Sequence, residues 1–407
     1  MKIAVVIETY SVTGGGAERS TAQIVNRLIE QGHQVTLITN RSEEADQAMP
    51  GVVVCEQGGL STKTSLGLML FRYWAIRQLK RGSFDVSLSV TLAVPATVVQ
   101  PRSGTARETN LRNVAMRRTP FKRALKRLTD LLNFKKQALL FCEWRTLHSD
   151  RVRVVVAISH YVKDQLIHHY TYPVNQIELI PNAAAVQRFT PEQRSQTRAK
   201  IRRQLGIEDD HVAFLFVAIN PTLKGLDPLV KAFAQVLDQC PRAVLVVASP
   251  SVYSVSKTLT PLHERNAVRH IGVTRRIDAM YAACDVTVLP TFYDPSSKVV
   301  IESLLHGVPA ISTRYNGASQ WILDPSEQVT LGSVYGENAG KALPTGKTGR
   351  VVDDPKDIDS LANALLELCD DQTRESCVQN IVGLEDRVSM DRHVKDLEKL
   401  LNRVALH

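Results

Sequence analysis

The chain opens with short apolar runs separated by amphipathic stretches. KIAVVIE (2–8) is apolar almost throughout, STAQIVNRLIEQG (20–32) carries its apolar residues at helical spacing, and HQVTLITN (33–40) reads as a second strand, with Gly32 closing the helix between them. Unbroken apolar runs of strand length suit strands buried on both faces, because a sheet covered by helices has no solvated side. Further strands are predicted at 51–57, 84–90, 94–100, 152–159 and 177–183, with helices over about 65–81 and 160–170. After a polar helical stretch at 191–207 the rhythm restarts. Strands are predicted at 212–219, 242–249, 269–273, 285–290, 309–313 and 349–353, and helices at 226–239, 276–284, 297–306, 317–323 and 357–370. Strand–helix alternation of this kind predicts parallel, doubly wound sheets. The expected fold class is therefore α/β, with two tandem Rossmann-like domains facing a cleft. These are an N-terminal domain over 1–190, a C-terminal domain over 191–387, and a final helix within 388–407 that packs back on the first domain.

Composition agrees with two domains and narrows the setting. At 407 residues the chain is longer than one ordinary core uses. No apolar run is long enough to span a bilayer, and MKIAVVIETY lacks the pattern of a secretory leader. The six cysteines are scattered without a CxxC pair, so reduced thiols and a cytoplasmic location are expected. Charge is divided unevenly: residues 1–205 hold 30 Lys and Arg against 15 Asp and Glu, whereas 206–407 hold 20 against 26. An anionic partner is thus expected for the first half.

Three segments carry candidate chemistry. Gly14-Gly15-Gly16-Ala17-Glu18-Arg19 follows the first strand and opens a helix, where glycines admit a ligand close to the backbone and free N–H groups attract an anion. A tight turn needing positive φ explains one or two of those glycines but not three. The spacing is not GxGxxG, and the second strand ends at Asn40 instead of an acid, which argues against a dinucleotide site. In PTFYDPSSKVVIESLLHGVPAIST (290–313), a strand end leads through Asp294 to a helix starting near Ser296 or Ser297. Glu302 lies in an otherwise apolar part of that helix and needs solvent or a partner; the two hydroxyls of a ribose would serve, and so would plain exposure. Lys224, before Gly225 on a strand–helix loop, places an ammonium where it can neutralise a phosphate or simply meet water.

Taken in order, these segments resemble the retaining family 4 glycosyltransferases of the GT-B fold, including the lipopolysaccharide core glucosyltransferase group. GGGAER resembles the family's GG-x-E loop, and AISHYVKDQLIHHY, IELIPNA and RFTP its link region. LKGLDPLVKAF resembles the KG segment, IDAMYAACDVTVLPT the approach to the donor site, and DPSSKVVIESLLHGVPAIST with YNGAS the donor-site signature. The resemblance implies transfer of a hexose, from a UDP-sugar by preference, to a glycan or glycolipid acceptor, with retention of configuration. It implies a role in lipopolysaccharide or other cell-surface polysaccharide synthesis, and no metal or cofactor beyond the nucleotide-sugar co-substrate. Lys224, Asp294 and Glu302 become the catalytic candidates, with Glu302 on the donor ribose and Lys224 facing the diphosphate. Asp294 stands where the family has the first glutamate of a Glu-x7-Glu pair. Ser296, Ser297, Lys298 and Val299 would hold the leaving phosphate, and Gly15 and Gly16 would line the cleft opposite.

The chain also departs from the family pattern. AINPTL offers no Arg before Lys224, PNAAAV replaces PNG-V-D, and SPSV (249–252) replaces a glycine-rich turn. Arg102 stands near the place of a histidine in the first domain. A catalytically degenerate protein that binds nucleotide sugars is the alternative these changes leave open.

Residues 102–136 hold 11 Lys and Arg but only two acids, Glu108 and Asp130. FKRALKRLTDLLNF (121–134) sets Phe121, Ala124, Leu125, Leu128, Leu131 and Leu132 on one helical face, with Lys122, Arg123, Lys126 and Arg127 on or beside the other. This pattern predicts either a peripheral anionic-membrane contact, with Arg102 and the four helical cations serving it or an anionic acceptor, or an ordinary solvated helix face. Few aromatics interleave the basic residues and no nucleic-acid module is matched, so nucleic acid is not an expected partner.

Overall fold

The computed structural model describes residues 1–11, 14–42, 51–251, 253–324, 326, 334–335 and 343–405; Val252, which ends the SPSV turn, lies outside them. Two compact units emerge, Met1–Ala183 with Val388–His407, and Ala184–Arg387, so the boundary falls earlier than position 190.

The first unit contains β1 (Lys2–Tyr10), β2 (Gln34–Ser42), β3 (Val52–Glu56), β4 (Val86–Ser89), β5 (Val98–Val99), β6 (Val154–Ala157) and β7 (Ile177–Leu179). They form a parallel sheet in the order β3-β2-β1-β4-β5-β6-β7. The second unit contains β8 (Val212–Val217), β9 (Ala243–Ala248), β10 (Val268–His270), β11 (Val286–Val288), β12 (Ala310–Thr313) and β13 (Gly349–Val352), also parallel, in the order β10-β9-β8-β11-β12-β13. In each sheet the winding reverses beside the unit's first strand, between β1 and β4 and between β8 and β11. Loops leaving strand ends diverge at such a switch point and open a crevice for ligands.

The apolar runs are buried as their composition requires. Ile3 to Ile7 of β1 and Val212 to Phe216 of β8 are all buried. The helix Met390–Ala405 belongs to the first unit by its packing. Val394, Leu397 and Leu401 join Ile3, Val5, Ile24 and Leu28 in one core.

The largest difference from the sequence expectation is the basic stretch after position 102. It folds as three helices, Ala106–Ala115, Pro120–Leu131 and Phe134–Leu147. Thr105, Thr119 and Asn133 cap them by accepting from Glu108, Lys122 and Lys136 N–H. Side-chain caps satisfy amides that a helix start leaves without intrahelical acceptors. The predicted strand 94–100 shrinks to the two residues of β5.

Candidate active site

Beyond β8 and β11, two loops of the second unit are locked together by backbone. Gly225 has φ +84, and a Cβ there would sit 2.0 Å from the Pro290 carbonyl oxygen, so only glycine lets the loops approach this closely. Phe292 N–H donates to Leu223 O at 2.9 Å across the same seam. This contact delivers Lys224, on one loop, to Asp294, on the other. Lys224 Nζ lies 2.6 Å from Asp294 Oδ2 and donates to Tyr293 O at 3.1 Å. Both side chains are mostly buried, at 21 and 13% exposure. An ammonium has three donors, so these two acceptors leave one N–H for a ligand oxygen.

Asp294 is more engaged than its sequence position suggested. Its Oδ1 accepts from Ser296 N–H at 3.1 Å, while its backbone pairs with the turn at 315–317. Fully buried Asn316 anchors that turn. Its Oδ1 accepts from Ser297 N–H at 3.1 Å and Ala318 N–H at 3.0 Å, and its Nδ2 donates to Ser312 Oγ at 2.9 Å. The Ser296 and Ser297 N–H groups thus both find acceptors inside the protein, on Asp294 and Asn316. The helix Lys298–Leu305 starts directly after them, and Ser297 supplies it with no side-chain cap. Lys298 and Val299 open its first turn.

Glu302 lies one turn on, half-buried. Tyr281 Oη is 3.2 Å from Glu302 Oε2 and 3.1 Å from Val299 O. The Tyr281 ring stacks on His306 with centroids 5.2 Å apart, and His306 Nε2 lies 2.8 Å from Asp278 Oδ1. Burial pushes the Asp278 carboxyl up, but hydrogen bonds from His306 and Gln187 N–H outweigh it and leave its pKa below the usual value. Sequence reasoning singled out neither this supporting row nor Asn316. The i, i+3 spacing of Asp278 with Tyr281 and the i, i+4 spacing of Glu302 with His306 were the available signals.

The second unit thus presents a mostly buried cation, an uncapped helix start and a carboxylate braced by a tyrosine, all at its switch point. The family profile described as Glycosyltransferase Family 4 matches residues 14–188, and that described as Glycosyl transferases group 1 matches residues 197–382. Together they take in most of the chain, in order. Each half of the chain thus carries a glycosyltransferase family domain.

Its similarity to curated proteins is partial. It is 23% identical over 171 residues to an uncharacterized glycosyltransferase of Methanocaldococcus jannaschii, covering 41% of this chain and 44% of that protein. It is 26% identical over 197 residues to the D-inositol 3-phosphate glycosyltransferase of Corynebacterium glutamicum, covering 45 and 46%. The chain thus spans about half the length of the curated relatives it matches. Among solved structures, WaaG, a glycosyltransferase involved in lipopolysaccharide biosynthesis, superposes with a TM-score of 0.77 at 16% identity over 98% of this chain and 99% of that one. Anabaena HepE in complex with UDP superposes at 0.67 and 15% over 99 and 100%. At such identities the likeness speaks for the fold, which is GT-B.

The remaining candidates lie in the first unit. Gly14, Gly15 and Gly16 all lack positive φ, which removes the tight-turn explanation for them. Gly15 precedes the helix Gly16–Glu30, and a Cβ on it would meet the Glu18 carboxylate at 2.8 Å, whereas Gly16 faces open space. Gly15 lines a cavity of about 530 Å³ with Asn40, Arg41, Glu56 and Lys63.

Arg102 is a correction. It is buried, donates to Gln100 Oε1 at 2.8 Å and Asn182 Oδ1 at 2.7 Å, and belongs to the interior with His393. Burial pushes its guanidinium down to about 10. It therefore offers no charge to a membrane or acceptor at the surface. The helix Pro120–Leu131, by contrast, has no buried residue. Lys122 and Arg127 are exposed, but Arg123 donates to Arg117 O at 2.9 Å and Lys126 pairs with Asp130 at 2.6 Å.

Proposed function

We propose that the protein transfers a hexose from a nucleotide sugar, a UDP-sugar by preference, to a glycan or glycolipid acceptor with retention of configuration. The observation that carries this reading is the Lys224–Asp294 pair, held by the Gly225–Pro290 approach beside the start of the helix Lys298–Leu305. Departure of a nucleoside diphosphate builds negative charge on the leaving oxygen, so a preorganised ammonium and helix amides lower the barrier without a covalent intermediate. In this reading Asp294 aims Lys224 at the diphosphate, and Glu302, braced by Tyr281, accepts the ribose hydroxyls. The bond from the sugar's anomeric carbon to phosphate breaks, the acceptor oxygen bonds to that carbon from the same face, and the acceptor's proton passes to the leaving phosphate. HepE structures hold UDP, glucose and UDP-glucose, which supports a nucleotide-sugar donor here too. WaaG's involvement in lipopolysaccharide biosynthesis supports a cell-surface glycan product.

Thermal-shift titration with UDP- and GDP-sugars, wild type beside Glu302→Ala, is the test. Stabilisation by one donor, lost in the variant and accompanied by a new glycoside of retained configuration, is expected. Binding without turnover against any acceptor would favour the degenerate alternative, and trapping of a glycosyl-enzyme adduct would overturn the same-face step.

Peripheral membrane binding is the second part of the proposal. No helix among the described residues is long and apolar enough to cross a membrane. Phe121, Leu128, Leu131, Leu132 and Phe134 are nonetheless 76, 56, 68, 72 and 82% exposed beside Lys122 and Arg127. Apolar residues this exposed next to cations suit the interface of an anionic bilayer. Vesicles of anionic lipid should bind the chain, salt should weaken binding, and Leu128→Ser with Phe121→Ser should abolish it. Equal binding to zwitterionic vesicles in high salt would refute the electrostatic part.

A further inference from the structure

The row of side chains behind Glu302 ends on the segment that leads the chain into the second unit. Between Ala184, where that unit begins, and the helix Pro191–Leu205, residues 185–190 form neither helix nor strand. No backbone ladder holds this segment, so its seating depends on a few contacts with side chains. Gln187 N–H donates to Asp278 Oδ1 at 3.2 Å. Arg188 pairs with Glu385, but both side chains are well exposed and such a pair adds little. The half-buried Phe189 ring lies 6.2 Å from that of His306. A cavity of about 270 Å³ lined by Val186, Phe189, Leu305 and His306 leaves the segment room to shift.

His306 joins this segment to the donor carboxylate. An ionised carboxylate only accepts, so His306 Nε2, 2.8 Å from Asp278 Oδ1, carries the proton and donates. One carboxylate oxygen thus holds both the segment's backbone and the plane of the imidazole. Arg194, on the helix Pro191–Leu205, donates to the His306 carbonyl and holds its backbone, which leaves the ring as the part that Asp278 and Phe189 orient. Tyr281 stacks on that ring, with 5.2 Å between centroids and 24° between planes. Its hydroxyl meets Val299 O at 3.1 Å and Glu302 Oε2 at 3.2 Å. A phenol has one proton, and here two acceptors compete for it. A small turn of the Tyr281 ring therefore changes the share that Glu302 receives.

We propose that Phe189 and His306 are positioning residues for the donor. Seating of residues 185–190 orients Tyr281 through His306, and so sets how well Glu302 accepts the ribose hydroxyls. The inference rests on the assignment of Glu302 to the donor ribose. Linkage makes the effect reciprocal: if seating the segment strengthens ribose binding, ribose binding seats the segment by the same factor.

Calorimetry on the full chain tests this with UDP and with 2′,3′-dideoxy-UDP, which lacks both ribose hydroxyls. Wild type should bind UDP at least about tenfold more tightly than the dideoxy ligand. In Phe189→Ala, and in His306→Phe, which keeps a ring against Tyr281 but cannot donate to Asp278, that preference should fall to about threefold or less, with affinity for the dideoxy ligand nearly unchanged. Phe189→Tyr, which keeps the ring, should keep the preference. A variant that merely loosened the fold would weaken both ligands alike, and His306→Phe carries the test if Phe189→Ala does not fold. Hydrogen exchange reads the reciprocal effect: UDP should slow exchange at the Gln187 backbone N–H of wild type, and the dideoxy ligand should slow it less. If wild type prefers UDP while both folded variants keep the full preference, or if UDP leaves exchange at Gln187 unchanged, the positioning role is overturned and the donor site stands. If wild type binds both ligands equally, Glu302 does not hold the ribose, and the donor assignment falls together with the inference built on it.

Discussion

Gly225→Ala isolates the contact on which the donor site depends. The residue sits at φ +84, and an added Cβ would lie 2.0 Å from Pro290 O, where side-chain carbons keep at least 3.0 Å. Holding an L-residue in the left-handed region costs about 1–2 kcal/mol. Forcing the two loops apart by about 1 Å adds overpacking strain of roughly 1–3 kcal/mol. Gly206 is the control, since it is also left-handed, at φ +60, but has nothing within 4 Å of an added Cβ. Gly206→Ala should thus show the conformational cost alone. With a midpoint shift of about 2–4 °C per kcal/mol for a unit of this size, Gly225→Ala should melt roughly 2–12 °C below Gly206→Ala. A displacement of that size also moves Lys224 away from Asp294, and misplacement by about 1 Å costs on the order of a hundredfold in rate. The assay is differential scanning calorimetry of both variants followed by donor-dependent turnover, with the second unit's transition identified by UDP titration. If Gly225→Ala matches Gly206→Ala in midpoint and retains wild-type turnover, the loop approach is not what positions the site.

Asn316→Ala strips acceptors from two buried amides and a partner from Ser312, so it should cost about 2–3 kcal/mol and weaken donor binding together; denaturant unfolding and UDP calorimetry measure the two effects. Leu397→Ala removes a fully buried side chain from the core shared by the final helix and β1, and should destabilise the first unit by about 2–5 kcal/mol while UDP binding persists. Acid should weaken the second unit through Asp324. Burial pushes this carboxyl up, but hydrogen bonds from Ser326 and Lys347 bring it down to about 2 from 3.8. Because the fold favours the carboxylate, its contribution is complete above about 3.8 and is lost as pH falls through about 2. The stability gap between wild type and Asp324→Asn should narrow over that window in pH-dependent urea unfolding, and a gap that widens would contradict the sign.

What the sequence determined by itself was periodic or contiguous. VAFLFV (212–217) read as a strand covered on both faces, and Val212 to Phe216 are indeed buried in β8, whereas Ile219 at the end of the apolar run is 75% exposed. Counterparts of that strand in both halves, alternating with amphipathic helices, required parallel doubly wound sheets. Glu302 inside VVIESLL and Lys224 before Gly225 were visible as polar residues needing a reason. The tertiary structure decided which residues meet. Lys224 and Asp294 are joined because a backbone contact at Gly225 and Pro290 brings their loops together, and no pattern along the chain encodes that distance. Which amides stay available was likewise settled by Asn316, reaching back from a later turn to take the Ser297 N–H. Arg102 read as one more cation of a basic arm, yet burial beside Gln100, Asn182 and His393 turned it inward, whereas Lys122 and Arg127 stayed at the surface. Local pattern fixes how a segment hides its apolar face. The partners of a charge depend on long-range packing, and those partners determine whether it holds the fold or remains available for chemistry.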